Sequence, residues 1–206
     1  MAQFFEIHPD NPQRRLIQQA VAIIDRGGLV IYPTDSSYAL GCHIGDKAAM
    51  ERIQRIRRTD KDHHFTLVCS DLSEIGIYAK VSNTDYRLMK NLTPGPYTFL
   101  LKATSVVPRR LMNPRRKTIG VRVPDNNIVR ALLQELGQPI MSSTLIPPGQ
   151  RQALDDAVEI RARYEHEVDL VIDGGVCGVE PTTVISLIDG YPEVLRHGKG
   201  EVSFLG

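Results

Sequence analysis

The sequence contains no tryptophan and only three cysteines, Cys42, Cys69 and Cys177, which stand far apart with no CxxC or Cys/His spacing. Zinc and redox chemistry are thereby disfavoured, because each needs thiols or imidazoles at characteristic spacings; buried or idle thiols in a reducing cytosol are the expected state. No apolar stretch approaches a membrane span, and the start, MAQFFEIHPDNPQRR, lacks the basic-then-apolar order of a secretory signal, so a cytoplasmic protein without membrane contact is expected. No GxxxxGK[ST], no GxGxxG after a strand, no GxSxG and no HExxH occurs. The usual ATPase, dinucleotide-binding, hydrolase and zinc-protease readings lose their footing with them. Five Phe and seven Tyr are dispersed along the chain, so the stacking set of an RNA-recognition motif is missing too, and any RNA contact has to rest on phosphates and shape. Nor does a repeat, a low-complexity tract or a Pro/Ser-rich linker mark a second domain.

What is present is average in bulk and uneven in detail. With 206 residues, 42% of them apolar and 24% charged, the chain is long enough for one well-buried core. The net charge of +1 conceals a segment from Lys102 to Lys117 that holds Lys102, Arg109, Arg110, Arg115, Arg116 and Lys117 with no acidic residue, whereas Asp155 to Asp189 is acid-rich. A local basic segment on a near-neutral protein still attracts a polyanion.

Asn11-Pro12 reads as an N-cap with proline in the first turn, and Leu16, Ile17, Ala20, Val21 and Ile24 recur at helical spacing until Gly27-Gly28. Leu29 to Tyr32 follows as a strand, then a loop, then a helix capped by Asp46 and carrying Ala49, Met50, Ile53 and Ile56 inward. Further strands are expected at Phe65 to Cys69, Tyr97 to Lys102, Thr118 to Val123, Ile140 to Ser142, Leu170 to Ile172, Thr183 to Leu187 and Glu193 to Arg196. Helices are expected at Asp71 to Tyr78, Thr84 to Asn91, Asn126 to Leu136 and about Ala153 to Tyr164. Such interleaving predicts a twisted α/β sheet with flanking helices, and some connections are too short for parallel crossovers, so the sheet is mixed.

Three places carry candidate chemistry. YPTDSSYALG, from Tyr32 to Gly41, sets hydroxyls and an aspartate at the end of a buried strand, where ligands of open sheets gather, although a capped turn explains Thr34 and Asp35 equally well. Arg55, Arg57, Arg58 and Lys61 surround a helix C-terminus, as a solvated helix end or as phosphate-binding guanidinium forks; the adjacent His63 and His64 read as loop residues. Arg122 interrupts the apolar run Ile119, Val121, Val123, and must face away from it toward solvent or an anion.

In order along the chain, YPTDSSYALGC, a basic stretch, LTPGPYTFLL, IGVRVPD, PIMSST, VIDGG, EPTTVISL and VLRHGKG resemble the YrdC-like family across nearly the whole length, with a motif-bearing core at about residues 13–200. The resemblance implies a single α/β domain, residues 1–206, with a concave basic cleft on a twisted open mixed sheet. It implies formation of threonylcarbamoyl-adenylate and diphosphate from ATP, L-threonine and bicarbonate for tRNA modification, with Mg2+ accompanying ATP, no metal ligands from the protein and no covalent enzyme intermediate. Carried over by position, Thr34, Arg122, Ser142 and Thr182 line the threonine site. Arg57, Arg58, Lys61, Thr118, Thr144 and Arg196 face the nucleotide. Double-stranded RNA or tRNA is the implied macromolecular partner, contacted by Arg109, Arg110, Arg115, Arg116 and Lys117 with Arg57, Arg58 and Lys61 on the same concave face. Two motifs depart from the family: its KxR is Arg57-Arg58-Thr59 here, and its SxN is Thr144-Leu145-Ile146. Weakened or changed synthase activity is expected, with an RNA-binding module lacking synthase activity as the alternative.

Overall fold

The computed structural model describes residues 1–58, 65–113 and 115–203, so the expectations for Thr59, Lys61, His63 and His64 lie outside the described residues. Ten strands run as β1 (Gln3–Glu6), β2 (Val30–Tyr32), β3 (Ala39–His43), β4 (Thr66–Val68), β5 (Tyr97–Lys102), β6 (Thr118–Arg122), β7 (Ile140–Thr144), β8 (Leu170–Asp173), β9 (Thr183–Ser186) and β10 (Glu193–Arg196). Interleaved with them are α1 (Arg14–Asp25), α2 (Lys47–Arg57), α3 (Leu72–Tyr78), α4 (Asn83–Leu92), α5 (Asn127–Leu136) and α6 (Ala157–Tyr164), with a 3-10 turn at Arg109–Leu111.

The strands form one mixed sheet in the order β1-β8-β2-β3-β7-β4-β6-β5-β9-β10. β1 and β2 flank β8 in parallel, and β4 with β6 and β5 with β9 are also parallel. The remaining neighbours are antiparallel. Side chains alternate across each strand, so register decides which residues share a face. One face, with Leu40, Leu67, Phe99, Val121 and Met141, is buried under α2, α3, α4 and α6. On the opposite face Val30, Tyr32, Val68, Ile140, Leu170 and Ile172 pack beneath α1 and α5, which lie against each other. This second layer covers only part of its face. At Ser142 and Thr144 of β7, at Thr66 of β4 and across β6, β5 and β9 the sheet is left open there.

Several expected boundaries are corrected. α1 begins at Arg14 behind Gln13, not behind Asn11, because the backbone N–H groups of Asp10 and Asn11 donate to His8 Nδ1 and hold that stretch in a loop of its own. α6 begins at Ala157 rather than about Ala153, since Asp156 accepts from the N–H groups of Val158 and Glu159 and fixes the first turn. The segment read as a loop after Tyr32 contains β3, a hairpin partner of β2. Gly41 in it looks like a turn signal, yet a Cβ there would come within 2.5 Å of the Tyr32 ring, so glycine is required for strand packing. β1 was not anticipated. Asp46 caps α2 as expected, accepting from Ala49 N–H at 2.9 Å. Among the described residues no helix is long and apolar enough to cross a membrane.

Candidate active site: an arginine-lined hollow on the open sheet face

β6 reads Thr118-Ile119-Gly120-Val121-Arg122, and alternation sends Ile119 and Val121 into the apolar layer while Thr118, Gly120 and Arg122 face the open side. Register extends this row sideways: Ser142, Thr66, Gly120 and Leu100 stand in line across four strands, with Ala39 opposite Thr144 and Thr98 opposite Val184. Small and hydroxyl-bearing side chains cannot fill the space that a missing helix leaves. The result is a cavity of about 510 Å³, within the size range of sites for small ligands. Among the described residues its lining includes Arg57, Arg116, Arg122 and Arg196 and no aspartate or glutamate.

Three of these arginines are partly desolvated. Arg57, the last residue of α2, donates through Nη1 to the Ile146 carbonyl at 2.8 Å, and its Nε is buried without a partner. Burial lowers its pKa, Tyr164 opposes that shift and the charge of Arg196 adds to it. Arg196 donates from Nε and Nη2 to the Thr182 carbonyl at 3.1 and 2.8 Å and from Nη2 to Thr182 Oγ1 at 3.1 Å. Burial also lowers its pKa, with Arg122 contributing. Cations that disfavour one another's charge, with unused N–H groups, are relieved by an anion between them.

Arg122 differs in already having a counter-charge. Its Nη2 is ion-paired with Asp35 Oδ1, both side chains being about nine-tenths buried (8% and 10% exposed), and Nη1 lies 3.4 Å from Ser36 Oγ. Asp35 Oδ2 accepts from Asp125 N–H at 2.9 Å, and its carbonyl accepts from Lys199 Nζ. The anion that sequence reasoning demanded for Arg122 is therefore supplied from within the chain. Arg122 Nε is still buried and unpartnered.

The hydroxyls are similarly committed in part. Thr34 Oγ1 donates to the Ser37 carbonyl at 2.6 Å and accepts from the N–H groups of Ser36 and Ser37, so it builds its own turn while lining the cavity. Ser142 Oγ donates to the Leu40 carbonyl and receives the Tyr32 hydroxyl at 2.7 Å; burial pushes that phenol up to about 12. Thr182 Oγ1 pairs with Thr98 Oγ1 at 2.8 Å. Thr118 and Thr144 line the same space.

Of the expected residues, Thr34, Arg57, Thr118, Arg122, Ser142, Thr144, Thr182 and Arg196 thus meet in one cavity. Arg58 does not join them: left-handed at φ 47°, it ends α2 and lines a separate hollow with Arg55, Arg163 and Tyr164. Of the basic segment only Arg116 reaches the cavity, beside Asn113, whose side chain accepts from the N–H groups of Arg115 and Arg116. Arg109, Arg110, Arg115 and Lys117 are exposed outside it. Sequence reasoning missed the roles of Asp35, Thr66, Thr98, Asn113 and Lys199; the one available signal was that a lone charge inside β6 needs a counter-charge nearby. Among the described residues no three His, Cys, Asp or Glu side chains cluster to hold a metal.

Comparison with known proteins gives this architecture a place. The family model Sua5/YciO/YrdC, described as "Telomere recombination", matches residues 22–198. The chain belongs to the Sua5/YciO/YrdC family. It is 58% identical to the protein YciO of Escherichia coli (strain K12) over 98% of each chain, and superposes on the E. coli YciO crystal structure with a TM-score of 0.96 over the same coverage. It is 31% identical to a threonylcarbamoyl-AMP synthase of Chromohalobacter salexigens over 88% of this chain and 96% of that one. The crystal structure of P. abyssi Sua5 complexed with L-threonine matches at 26% identity and a TM-score of 0.86, over 95% of this chain and 57% of that one.

Proposed function

We propose that the cavity binds ATP and L-threonine side by side, and that the chain is a threonylcarbamoyl-AMP synthase type of enzyme whose turnover is limited by its altered phosphate-side motifs. The observation that carries this reading is the cavity in which Arg57, Arg122 and Arg196 converge with Thr118, Ser142, Thr144 and Thr182, in a family that includes synthases of this product. Arg57 and Arg196, which have no carboxylate partner among the described residues, take the phosphates. Arg122, with Thr34, Ser142 and Thr182 around it, takes the amino-acid carboxylate. Catalysis then consists of positioning and of cationic stabilisation as diphosphate leaves. Ile146 stands where the family pattern has asparagine, and its backbone carbonyl is spent on Arg57. Its side chain can offer the ligand no hydrogen bond. One such loss costs on the order of 1–3 kcal/mol, about a tenfold to hundredfold lower rate.

Diphosphate release at high enzyme concentration tests the reading directly. Release should require ATP, threonine and bicarbonate together, and Ile146→Asn should raise it about tenfold or more. Calorimetry that finds neither ATP nor threonine binding would remove the proposal.

A second reading, an RNA-binding surface at the mouth of the cavity, is favoured by one observation. Arg109, Arg110, Arg115, Arg116 and Lys117 have no side-chain hydrogen bond or ion pair among the described residues. Affinity for duplex RNA or tRNA should then fall steeply with salt and little with sequence. Charge reversal at Arg115 and Arg116 should weaken RNA far more than threonine.

A further inference from the structure

β4 and β6 are adjacent and parallel, and the chain leaves their carboxyl ends in opposite directions. After β4 it enters α3, whose Ile75 packs in the layer that also holds α2, α4 and α6; after β6 it enters α5, which packs with α1 on the other face. Neighbouring parallel strands with helices departing to opposite faces open a crevice between the two loops, the position at which open α/β sheets bind ligands. A cavity of about 500 Å³ lies there. It is separate from the arginine-lined hollow, since alternation turns Val123 into it and Arg122 away, and the two share no lining residue.

The crevice has a defined chemistry. Its apolar surface comes from Leu72, Tyr86, Pro94, Val123 and Leu133, with Ser70, Ser73 and Thr93 between them, and Tyr86 leaves 46% of its surface exposed. Two cations reach it from different helices, Lys90 on α4 and Arg130 on α5, against one carboxylate, Asp71. Asp71 Oδ1 is committed to capping α3 through Glu74 N–H at 2.8 Å. Arg130 is held by Asn127 Oδ1 at 2.7 Å and more loosely by Asp125 at 3.5 Å, while Lys90 has no hydrogen bond or ion pair among the described residues. Lys90, and Arg130 once it exchanges its loose pairing with Asp125 for a ligand, suit a single negative charge on an apolar body. A phosphate dianion would exceed the charge available and leave the apolar walls wet.

We propose that this crevice binds a small organic monoanion, a carboxylate with an apolar or aromatic body, whose carboxylate lies between Lys90 and Arg130 and whose body packs on Tyr86, Leu72 and Leu133. The site does not depend on the synthase reading.

Titration of the full chain with benzoate, followed by backbone amide NMR, tests it. Saturable shifts should centre on residues 69–73, 86–94 and 123–133 and leave Arg57, Thr144 and Arg196 unmoved. Lys90→Ala and Arg130→Ala, both on exposed side chains, should each weaken benzoate about tenfold, and benzyl alcohol should bind more weakly than benzoate. Overlay of the variant spectra away from the crevice shows that the fold is kept. Shifts that do not saturate, saturation at the arginine-lined hollow instead, or benzyl alcohol binding as tightly as benzoate would each overturn the proposal.

Discussion

Asp35→Asn is the substitution that most directly tests how the cavity is held together. Asp35 is the carboxylate on Arg122, and both side chains are about nine-tenths buried. Removing one partner of a buried pair costs roughly 3–5 kcal/mol, because the other charge stays desolvated and uncompensated. The site moderates this figure: the amide can still accept from Asp125 N–H, Ser36 Oγ remains within 3.4 Å of Arg122, and Arg122 borders the open cavity. The expected loss is therefore about 2–3 kcal/mol, at the lower edge of the range for broken buried pairs. Urea unfolding should show it as a lower midpoint with an unchanged slope. Arg122→Gln alone should also destabilise, but the double variant should cost less than the sum of the two, with a coupling of about 2 kcal/mol. Additivity within about 0.5 kcal/mol would refute the claim that Asp35 and Arg122 act as a pair.

Gly120→Val places two methyl groups on the floor of the cavity, where even a Cβ would stand 3.1 Å from Thr66 Oγ1 and 3.4 Å from Thr98 Cγ2. Calorimetry should register at least about tenfold weaker ATP or threonine binding, while urea unfolding shows a stability change of no more than about 1–3 kcal/mol, as expected for modest overpacking. Tyr32→Phe should cost about 1 kcal/mol by urea unfolding, since it removes the hydrogen bond to Ser142 yet leaves Ser142 its bond to Leu40. Stability should fall as pH rises beyond about 9: burial lifts the Cys42 and Cys69 thiols above their ordinary value of 9.0 and Cys177 to about 12, so the unfolded chain releases protons first. Each thiol adds a slope of up to about 1.4 kcal/mol per pH unit, absent below pH 9, and Cys42→Ala should flatten the alkaline limb of urea midpoints measured against pH.

The elements that could be read from the sequence are those whose signal is local. α2 and α5 declare themselves by apolar spacing and by caps, Asp46 and Asn126, that act within three residues. β6 and β5 show bounded apolar runs. β3 was hidden because it is buried on both faces and carries a glycine whose cause, the Tyr32 ring, lies on the neighbouring strand. β1 is four residues long and owes its existence to parallel pairing with β8, far away in sequence. The site divides in the same way. Arg122 stood out as a charge inside an apolar strand, but nothing local says that its partner is Asp35, 87 residues earlier. Arg57 and Arg58 look equivalent in sequence, and a single left-handed residue sends them to different hollows.

This division of charge has a consequence for what the cavity can recognise. Arg122 and Asp35 together are neutral, and Arg122 Nε is left to donate beside the Thr34, Ser142 and Thr182 hydroxyls, a setting without surplus charge that suits a zwitterion. Among the described residues Arg57 and Arg196 have no such compensation, and their lowered pKa values reflect burial together with the charge of Arg196 at Arg57 and of Arg122 at Arg196. A free amino acid gains little net Coulomb energy at the neutral pair, so its binding should change little with ionic strength. A nucleotide at the uncompensated pair brings several negative charges to two unbalanced positive ones, and its binding should weaken clearly as salt rises. If both ligands bind, parallel titrations at low and high salt should separate the two halves of the cavity without any mutation. Equal salt dependence would mean that Asp35 does not neutralise Arg122 when ligand is present, and that amino acid and nucleotide draw on one common field.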